Sequence, residues 1–240
     1  MSNFIKVTIL NPQDVKDIFA SWGEFSAVCY DSHPSPQIGK HCMNSGHWSG
    51  SRWKYIAMQI DNCPRFVIDQ LVRHEQGVIK NVQSFRYVNK DNFNYAIPEE
   101  IKGNDTLEIA YWEHMRNTLD LYNQIQEYVF SKTGKQERAN EQARYVLPMA
   151  TEGSVCIAFT LEALIHYCNL RLCTRTEDKH RELAQAIKKA VIEVLPEMTD
   201  KLVPQCEHLL WCPEGKGCGR YPSKKELKEI INVSTSKQTN

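Results

Sequence analysis

The chain has 240 residues and a mass of 27.8 kDa, enough for a sizeable domain that buries a core without covalent staples. Lysine and arginine number 29 and aspartate and glutamate number 29, so the formal charge of zero excludes a grip on nucleic acid or anionic membrane by bulk charge. A hydrophobic content of 42% and a charged content of 24% exclude wholesale disorder, and no stretch approaches the length of a membrane span.

Residues 4–10 alternate enough to read as a first strand, ended by Asn11-Pro12. Pro12 suits the first turn of a helix to about Trp22, with Val15, Ile18 and Phe19 on one face. Residues 29–50 are rich in Ser, Pro, Gly and His and read as irregular. Residues 55–60 form a plausible strand, and Pro64 opens a short helix to about His74 striped by Phe66, Val67 and Leu71. The clearest long helix covers residues 106–132, with Leu107, Tyr111, Met115, Leu119, Tyr122, Ile125 and Val129 as its stripe and Gly134 as its stop. A second helical stretch runs over residues 137–144. Residues 154–165 are apolar and read as strand passing into helix, which periodicity alone leaves open. Residues 177–194 make an amphipathic helix. Helix outweighs strand, so the class is α+β. Residues 1–222 read as a single catalytic domain, and residues 223–240 as a polar, flexible tail.

Gln70 and Arg73 are spaced to share a helix face, and Ser84 and Arg86 follow ten residues after His74 behind Asn81 and Gln83. Arginine forks match phosphate oxygens, and hydroxyl and amide groups supply the neutral hydrogen bonds a nucleotide needs. Arg144 and Arg171 add two more forks. From spacing alone, solvated surface arginines with local ion pairs are the simpler reading. The surrounding words decide otherwise.

Gly46-His-Trp-Ser49, then Gln70-Leu-Val-Arg73-His74 and Gln83-Ser84-Phe-Arg86-Tyr87, resemble the first half of the flavin-dependent thymidylate synthases. Ala143-Arg144-Tyr-Val-Leu-Pro148-Met-Ala-Thr-Glu152 and Leu164-Ile-His166-Tyr-Cys-Asn-Leu-Arg171 resemble the second half. So does the ending Pro204-Gln-Cys206 with Glu214-Gly-Lys-Gly-Cys218-Gly219. The resemblance implies helices packed on a mostly antiparallel sheet and a homotetramer with active sites between subunits. It implies transfer of the methylene of methylenetetrahydrofolate to C5 of dUMP, a hydride from reduced FAD, and NADPH to re-reduce the flavin. It carries Gln70, Arg73, Ser84, Arg86, Arg144 and Arg171 to the dUMP site. Arg86 and Arg144 would face the phosphate, Ser84 the uracil and sugar. Arg171 would hold the pyrimidine edge and act catalytically, stabilising charge as N3 and the C4 carbonyl gain electrons. No base stands at a defined spacing from Ser84, which is given binding and not covalency.

Departures from the family's pattern fall on its flavin and folate positions. Arg73-His74 is followed by Glu75 where a second arginine is usual, and the late helix opens Thr160-Leu161-Glu162 in place of Asn-Ala-Arg. Trp53 replaces a histidine, and Val82 a glutamate. The resemblance implies flavin positions at Trp53, His74, Glu75, Asn81, Thr160 and His166, with Lys80 as a further candidate. The alternatives are a homologue of altered chemistry, such as a dUMP or dCMP hydroxymethylase, and a non-catalytic pyrimidine-nucleotide-binding protein.

The 9 cysteines are too many and too odd in number to pair fully, which fits thiols in a reduced, cytoplasmic protein. Residues 1–11 lack the apolar run of a signal peptide. Cys206, His208, Cys212 and Cys218 are ligand types that zinc takes, but the run has no close Cys-x-x-Cys pair, and no metal is assigned. Cys168 and Cys173 read as packing residues, and His41 and His47 lie in the stretch read as loop.

Overall fold

Period-two burial defines the two central strands. The computed structural model describes residues 4–238, with side chains as far as residue 231. It begins with β1 (Lys6–Ile9), α1 (Pro12–Lys16), α2 (Ile18–Val28) and α3 (Pro36–Asn44). Next come β2 (Tyr55–Pro64), α4 (Arg65–Leu71), β3 (Val78–Val82), α5 (Asp105–Thr133) and α6 (Gln136–Ala143). β4 (Glu152–Thr160) runs directly into α7 (Leu161–Arg171), followed by α8 (Asp178–Val194), α9 (Gln205–Leu209) and α10 (Lys224–Gln238). The strands form one antiparallel sheet in the order β1-β2-β4-β3. β2 buries Ile56, Met58 and Ile60, and β4 buries Val155, Ile157 and Phe159 while Cys156 between them is exposed. The class is α+β, as the balance of elements implies.

Several boundaries differ from the periodicity. The stretch read as irregular contains α3: the Ser35 hydroxyl accepts from the Ile38 N–H, and Pro36 occupies the first turn, where a missing N–H costs nothing. The Ser and Pro that look like loop formers are thus a helix start. The helix expected from Pro12 to Trp22 is split at Asp17 and continues to Val28. α4 stops at Leu71, short of Arg73 and His74. β3 has no counterpart in the apolar pattern, because its alternation of half-buried and exposed residues carries Lys80 and Asn81 at the sheet's edge. The segment after Pro222 is helical in α10. α5 has its expected ends: the Asn104 side chain accepts from the Leu107 N–H, and Gly134 at φ 65° turns its N–H onto the Phe130 carbonyl.

The chain divides into two compact units. The first comprises Met1–Lys6, Gln59–Arg73 and Lys80–Ile157, the second Val7–Met58, His74–Ile79 and Ala158–Asn240. In the first, α5 packs along α6. The buried Tyr122 hydroxyl accepts from the Lys90 N–H at 3.1 Å, and the Tyr111 hydroxyl donates to the Ala96 carbonyl at 2.8 Å. Burial pushes the Tyr111 phenol up to about 12, so it stays a donor. The buried Asn140 Oδ1 accepts from Gln126 at 2.7 Å and Gln136 at 2.9 Å, which leaves α6 fixed against α5 by amides as well as by apolar contact.

In the second unit α2 and α3 approach through glycine. A Cβ on Gly23 would stand 1.9 Å from the Ser35 carbonyl oxygen, so no side chain fits without moving backbone. The same approach encloses Trp22, whose ring meets Phe19 and Trp48 at centroid distances of 6.2 and 5.5 Å. Gly23→Ala is expected to lower the unfolding free energy by about 1–3 kcal/mol in urea melts. Gly215→Ala, where an added Cβ meets nothing within 4 Å, is expected to leave it unchanged.

Candidate active site

The first unit holds a cavity of about 540 Å³ whose wall includes Arg65, Gln83, Ser84, Phe85, Arg144 and Tyr145. Arg144 ends α6, is exposed, and its guanidinium makes no hydrogen bond or ion pair among the described residues. Its charge helps to lower the Glu141 pKa, and its guanidinium nitrogens are left to donate to an anion. The Ser84 Oγ accepts from the Arg86 N–H at 3.3 Å, which leaves its own proton to donate. Behind the wall, Lys90 Nζ donates to the Gln83 Oε1 at 3.0 Å and to the Glu152 carbonyl at 3.1 Å, fixing the Gln83 amide. Burial lowers the Lys90 pKa, and its ammonium stands 4.6 Å above the Phe85 ring. Arg65 is the second guanidinium on the wall, tied to Asp69 at 3.0 Å.

Arg86 does not line this cavity. Its Nη2 pairs with Glu137 at 2.7 Å and its Nε faces Glu141 at 3.9 Å, both on α6. Gln70 and Arg73 lie at the end of α4, off this wall; the helix stops between them, so they do not share a helical face. Gln70 is half-buried and Arg73 exposed.

Arg171 closes α7 in the second unit. Its Nε donates to His74 Nε2 at 3.1 Å, which requires a neutral imidazole with its proton on Nδ1. The His74 ring meets Tyr167 edge-on at 5.1 Å and His180 at 6.5 Å. His180 on α8 is fully buried, and burial, with Arg171 and His74 nearby, pushes its pKa down to about 3. Two neutral imidazoles thus stand behind one guanidinium. Burial pushes the Cys168 thiol up to about 12, so this residue packs and does not attack.

The same unit holds a larger cavity of about 800 Å³, and α7 supplies one wall through Glu162, Ala163, Ile165, His166 and Asn169. Thr160 lines it too, its side chain capping α7 by accepting from the Ala163 N–H at 3.3 Å. Glu162 is neutralised by Arg52, whose Nε and Nη2 donate to the two carboxylate oxygens at 2.5 and 3.0 Å. The carboxylate in turn raises the Arg52 pKa. Gly77, at φ +68°, brings the chain so close that a Cβ would stand 2.6 Å from Thr160 Oγ1. The Asn169 Oδ1 is buried with no hydrogen-bond partner among the described residues. Thr160, His166, the paired Arg52 and the rings of Trp48 and Tyr55 give the cavity polar groups and stacking surfaces. A dinucleotide carrying an aromatic ring system fits this volume and donor set, with Arg52, Thr160, His166 and Asn169 as the residues to hold it.

Of the flavin candidates, Thr160 and His166 line this cavity. His74 holds Arg171 instead. Trp53 is off its wall, stacked on Phe25 at 4.7 Å, and Glu75 is off it and exposed, while its neighbours Gln76 and Gly77 line it. Asn81 lies exposed on β3 in the other unit, and Lys80 Nζ donates to the Val72 carbonyl. Arg52, Tyr55 and Asn169 were missed. Only the Trp48-to-Trp53 wording, an aromatic-rich stretch beside the Ser block, could have drawn attention to Arg52. The candidate metal ligands separate: His208 lines the large cavity, its Nε2 3.0 Å from the Lys201 carbonyl, while the three cysteines line a smaller one. Among the described residues no group of three or more His, Cys, Asp or Glu side chains is arranged to hold a metal ion. His41 lies on α3, not in a loop. No described helix is long and apolar enough to cross a membrane.

An arginine-lined cavity in one unit and a larger, aromatic-lined one in the other suit an α+β protein that binds nucleotides. The thymidylate synthase complementing protein family model matches residues 15–197, and the chain belongs to that family. It is 32% identical over 187 residues to a flavin-dependent thymidylate synthase of Nitratidesulfovibrio vulgaris, covering 77% of this chain and 76% of the relative. It is 30% identical over 194 residues to that of Clostridium tetani, covering 77% of each, and 27% identical over 228 residues to that of Thermococcus onnurineus, covering 89% of each.

The depressed pKa of His180 links stability to acid. Because the folded value lies below the ordinary 6.5, its contribution is complete above pH 6.5 and is lost as pH falls toward about 3. Denaturant melts at pH 7 and pH 4 are expected to show a larger loss on acidification for the native chain than for His180→Asn. Equal losses would contradict the assignment.

Proposed function

We propose that the protein is a flavin-dependent thymidylate synthase, transferring the methylene of methylenetetrahydrofolate to C5 of dUMP and producing dTMP. The observation that carries this reading is the pairing of Ser84 and an uncommitted Arg144 on one cavity, within a chain of the matching family. FAD held by Thr160, His166 and Arg52 would supply the hydride for the methyl group, with NADPH as the reductant. Arg144 takes the dUMP phosphate, and Ser84 donates to the uracil or sugar. Gln70 and Arg73 serve the same nucleotide. Arg86 reaches the phosphate by exchanging Glu137 and Glu141, a half-exposed pairing worth roughly 0–1 kcal/mol that a phosphate dianion readily replaces.

Arg171 holds the pyrimidine edge, its guanidinium aimed by His74, and stabilises the negative charge that N3 and the C4 carbonyl oxygen carry when the ring gains electrons, before C5 attacks. Arg52 offsets Glu162, so an acidic residue at the opening of α7 is compatible with a flavin pyrophosphate. Purified protein is expected to be yellow and to release tritium from C5-labelled dUMP with methylenetetrahydrofolate and NADPH. Arg171→Ala should lower turnover by about 100-fold with a smaller effect on dUMP affinity, and Arg144→Ala should weaken dUMP binding by about tenfold. Colourless protein without tritium release would contradict the reading, as would unchanged turnover in Arg171→Ala.

The reading includes a cytoplasmic homotetramer with active sites completed between subunits. What supports it is the outer surface of α5, where Trp112, Leu121 and Tyr128 are 45%, 46% and 65% exposed. Light scattering is expected to give a tetramer for the native chain and smaller species for Leu121→Glu/Tyr128→Glu.

A further inference from the structure

Four thiols of the second unit take no part in the chemistry above. Cys173, Cys206, Cys212 and Cys218 line one compact cavity of about 50 Å³ beside the end of α7. The segment that covers it is tied down by Arg175–Glu214 at 3.1 Å and Arg220–Glu207 at 2.6 Å. The Cys212 N–H donates to the Pro222 carbonyl at 2.7 Å, closing the loop that carries Cys212 and Cys218.

Within that loop the Cys212 sulfur lies against the backbone one residue before Cys218. A Cβ on Gly217 would stand 3.2 Å from Cys212 Sγ and 3.6 Å from its Cβ. A disulfide needs Cα atoms roughly 4.4–6.8 Å apart. Gly215 meets nothing within 4 Å, so the link between the two cysteines has room to adjust.

The thiols differ in reactivity. Cys218 is exposed, and the Thr174 side chain and the Arg220 backbone N–H hold its pKa below the ordinary thiol value. Cys206 is half-buried, and burial, with Cys173 and Cys212 close by, pushes it up. Cys218 is thus an exposed thiol of lowered pKa with the Cys212 sulfur against the backbone beside it, the arrangement that peroxide-sensing cysteines share.

We propose that Cys218 and Cys212 are a reversible dithiol–disulfide pair whose oxidant is a hydroperoxide. The Cys218 thiolate attacks one peroxide oxygen; the S–O bond forms, the O–O bond breaks, and an alcohol or water leaves. Sulfur gives up two electrons and becomes a sulfenic acid. The Cys212 sulfur then attacks that sulfenic sulfur, the S–S bond forms, and the hydroxide leaves with the Cys212 proton as water. Two thiols and one hydroperoxide thus yield one disulfide, one alcohol and one water. A dithiol reductant reverses the crosslink. The crosslink would stiffen the wall of the small cavity, two of whose other residues, Asn169 and Gln205, also line the large one.

The test treats the reduced full-length chain with hydrogen peroxide and follows intact mass, thiol alkylation and crosslinked peptides. The expected result is loss of two hydrogens' mass and a Cys212–Cys218 crosslink, reversed by dithiothreitol. It should form about tenfold faster than oxidation of the exposed Cys29 and Cys156. In Cys212→Ser, dimedone should trap a sulfenic acid on Cys218, and Cys218→Ser should lose the fast phase. Oxidation of Cys218 no faster than that of Cys29 and Cys156 would overturn the proposal. So would a crosslink through Cys173 or Cys206, or a thiol-bound metal ion that copurifies and blocks oxidation until chelated.

Discussion

The chemistry of the second unit depends on the point where β4 becomes α7. Thr160 ends the strand, donates its N–H to the Gly77 carbonyl at 2.9 Å, and caps the helix with its side chain. Gly77 has to be glycine there, because Thr160 Oγ1 fills the space a side chain would need. With the helix start fixed, the 3.6-residue period assigns the rest. Glu162, Ile165, His166 and Asn169 fall toward the large cavity, and Leu164, Tyr167 and Cys168 fall into the core. Arg171 arrives in the last turn, where the end of the helix favours its charge and where His74 can orient it.

A second theme is that charge is balanced over long stretches of sequence. Glu162 stands where the family's wording has arginine, yet it draws Arg52 from 110 positions away into a bidentate pair. Arg86 is balanced by two carboxylates of α6 in the same manner. Arg144 makes no ion pair within 4 Å among the described residues, although its charge, with those of Arg86 and Arg138, lowers the Glu141 pKa.

These pairings explain how much the sequence disclosed. Ser84, Arg144 and His166 could be singled out because each lies inside a contiguous motif whose wording is distinctive, and Thr160 because it departs from such a motif; all four line a cavity. Arg52 and Asn169 were not, because their roles arise from folding and not from neighbours in sequence. The long helix α5 and the amphipathic α8 were legible from period and caps. α3 was hidden by its own capping residues, and β3 by being a short polar edge strand. Gln70 and Arg73 show the cost of extending a helix too far: once α4 stops at Leu71, their spacing no longer sets their direction.

Cys63 and Cys168 are both fully buried cysteines outside any disulfide, one in each compact unit. Neither meets an alkylating agent unless its surroundings open, so each labelling rate measures an opening equilibrium. The protein therefore carries two internal clocks, one for each unit. Matching rates would describe a molecule that melts as one cooperative body, and diverging rates one whose halves breathe on separate schedules.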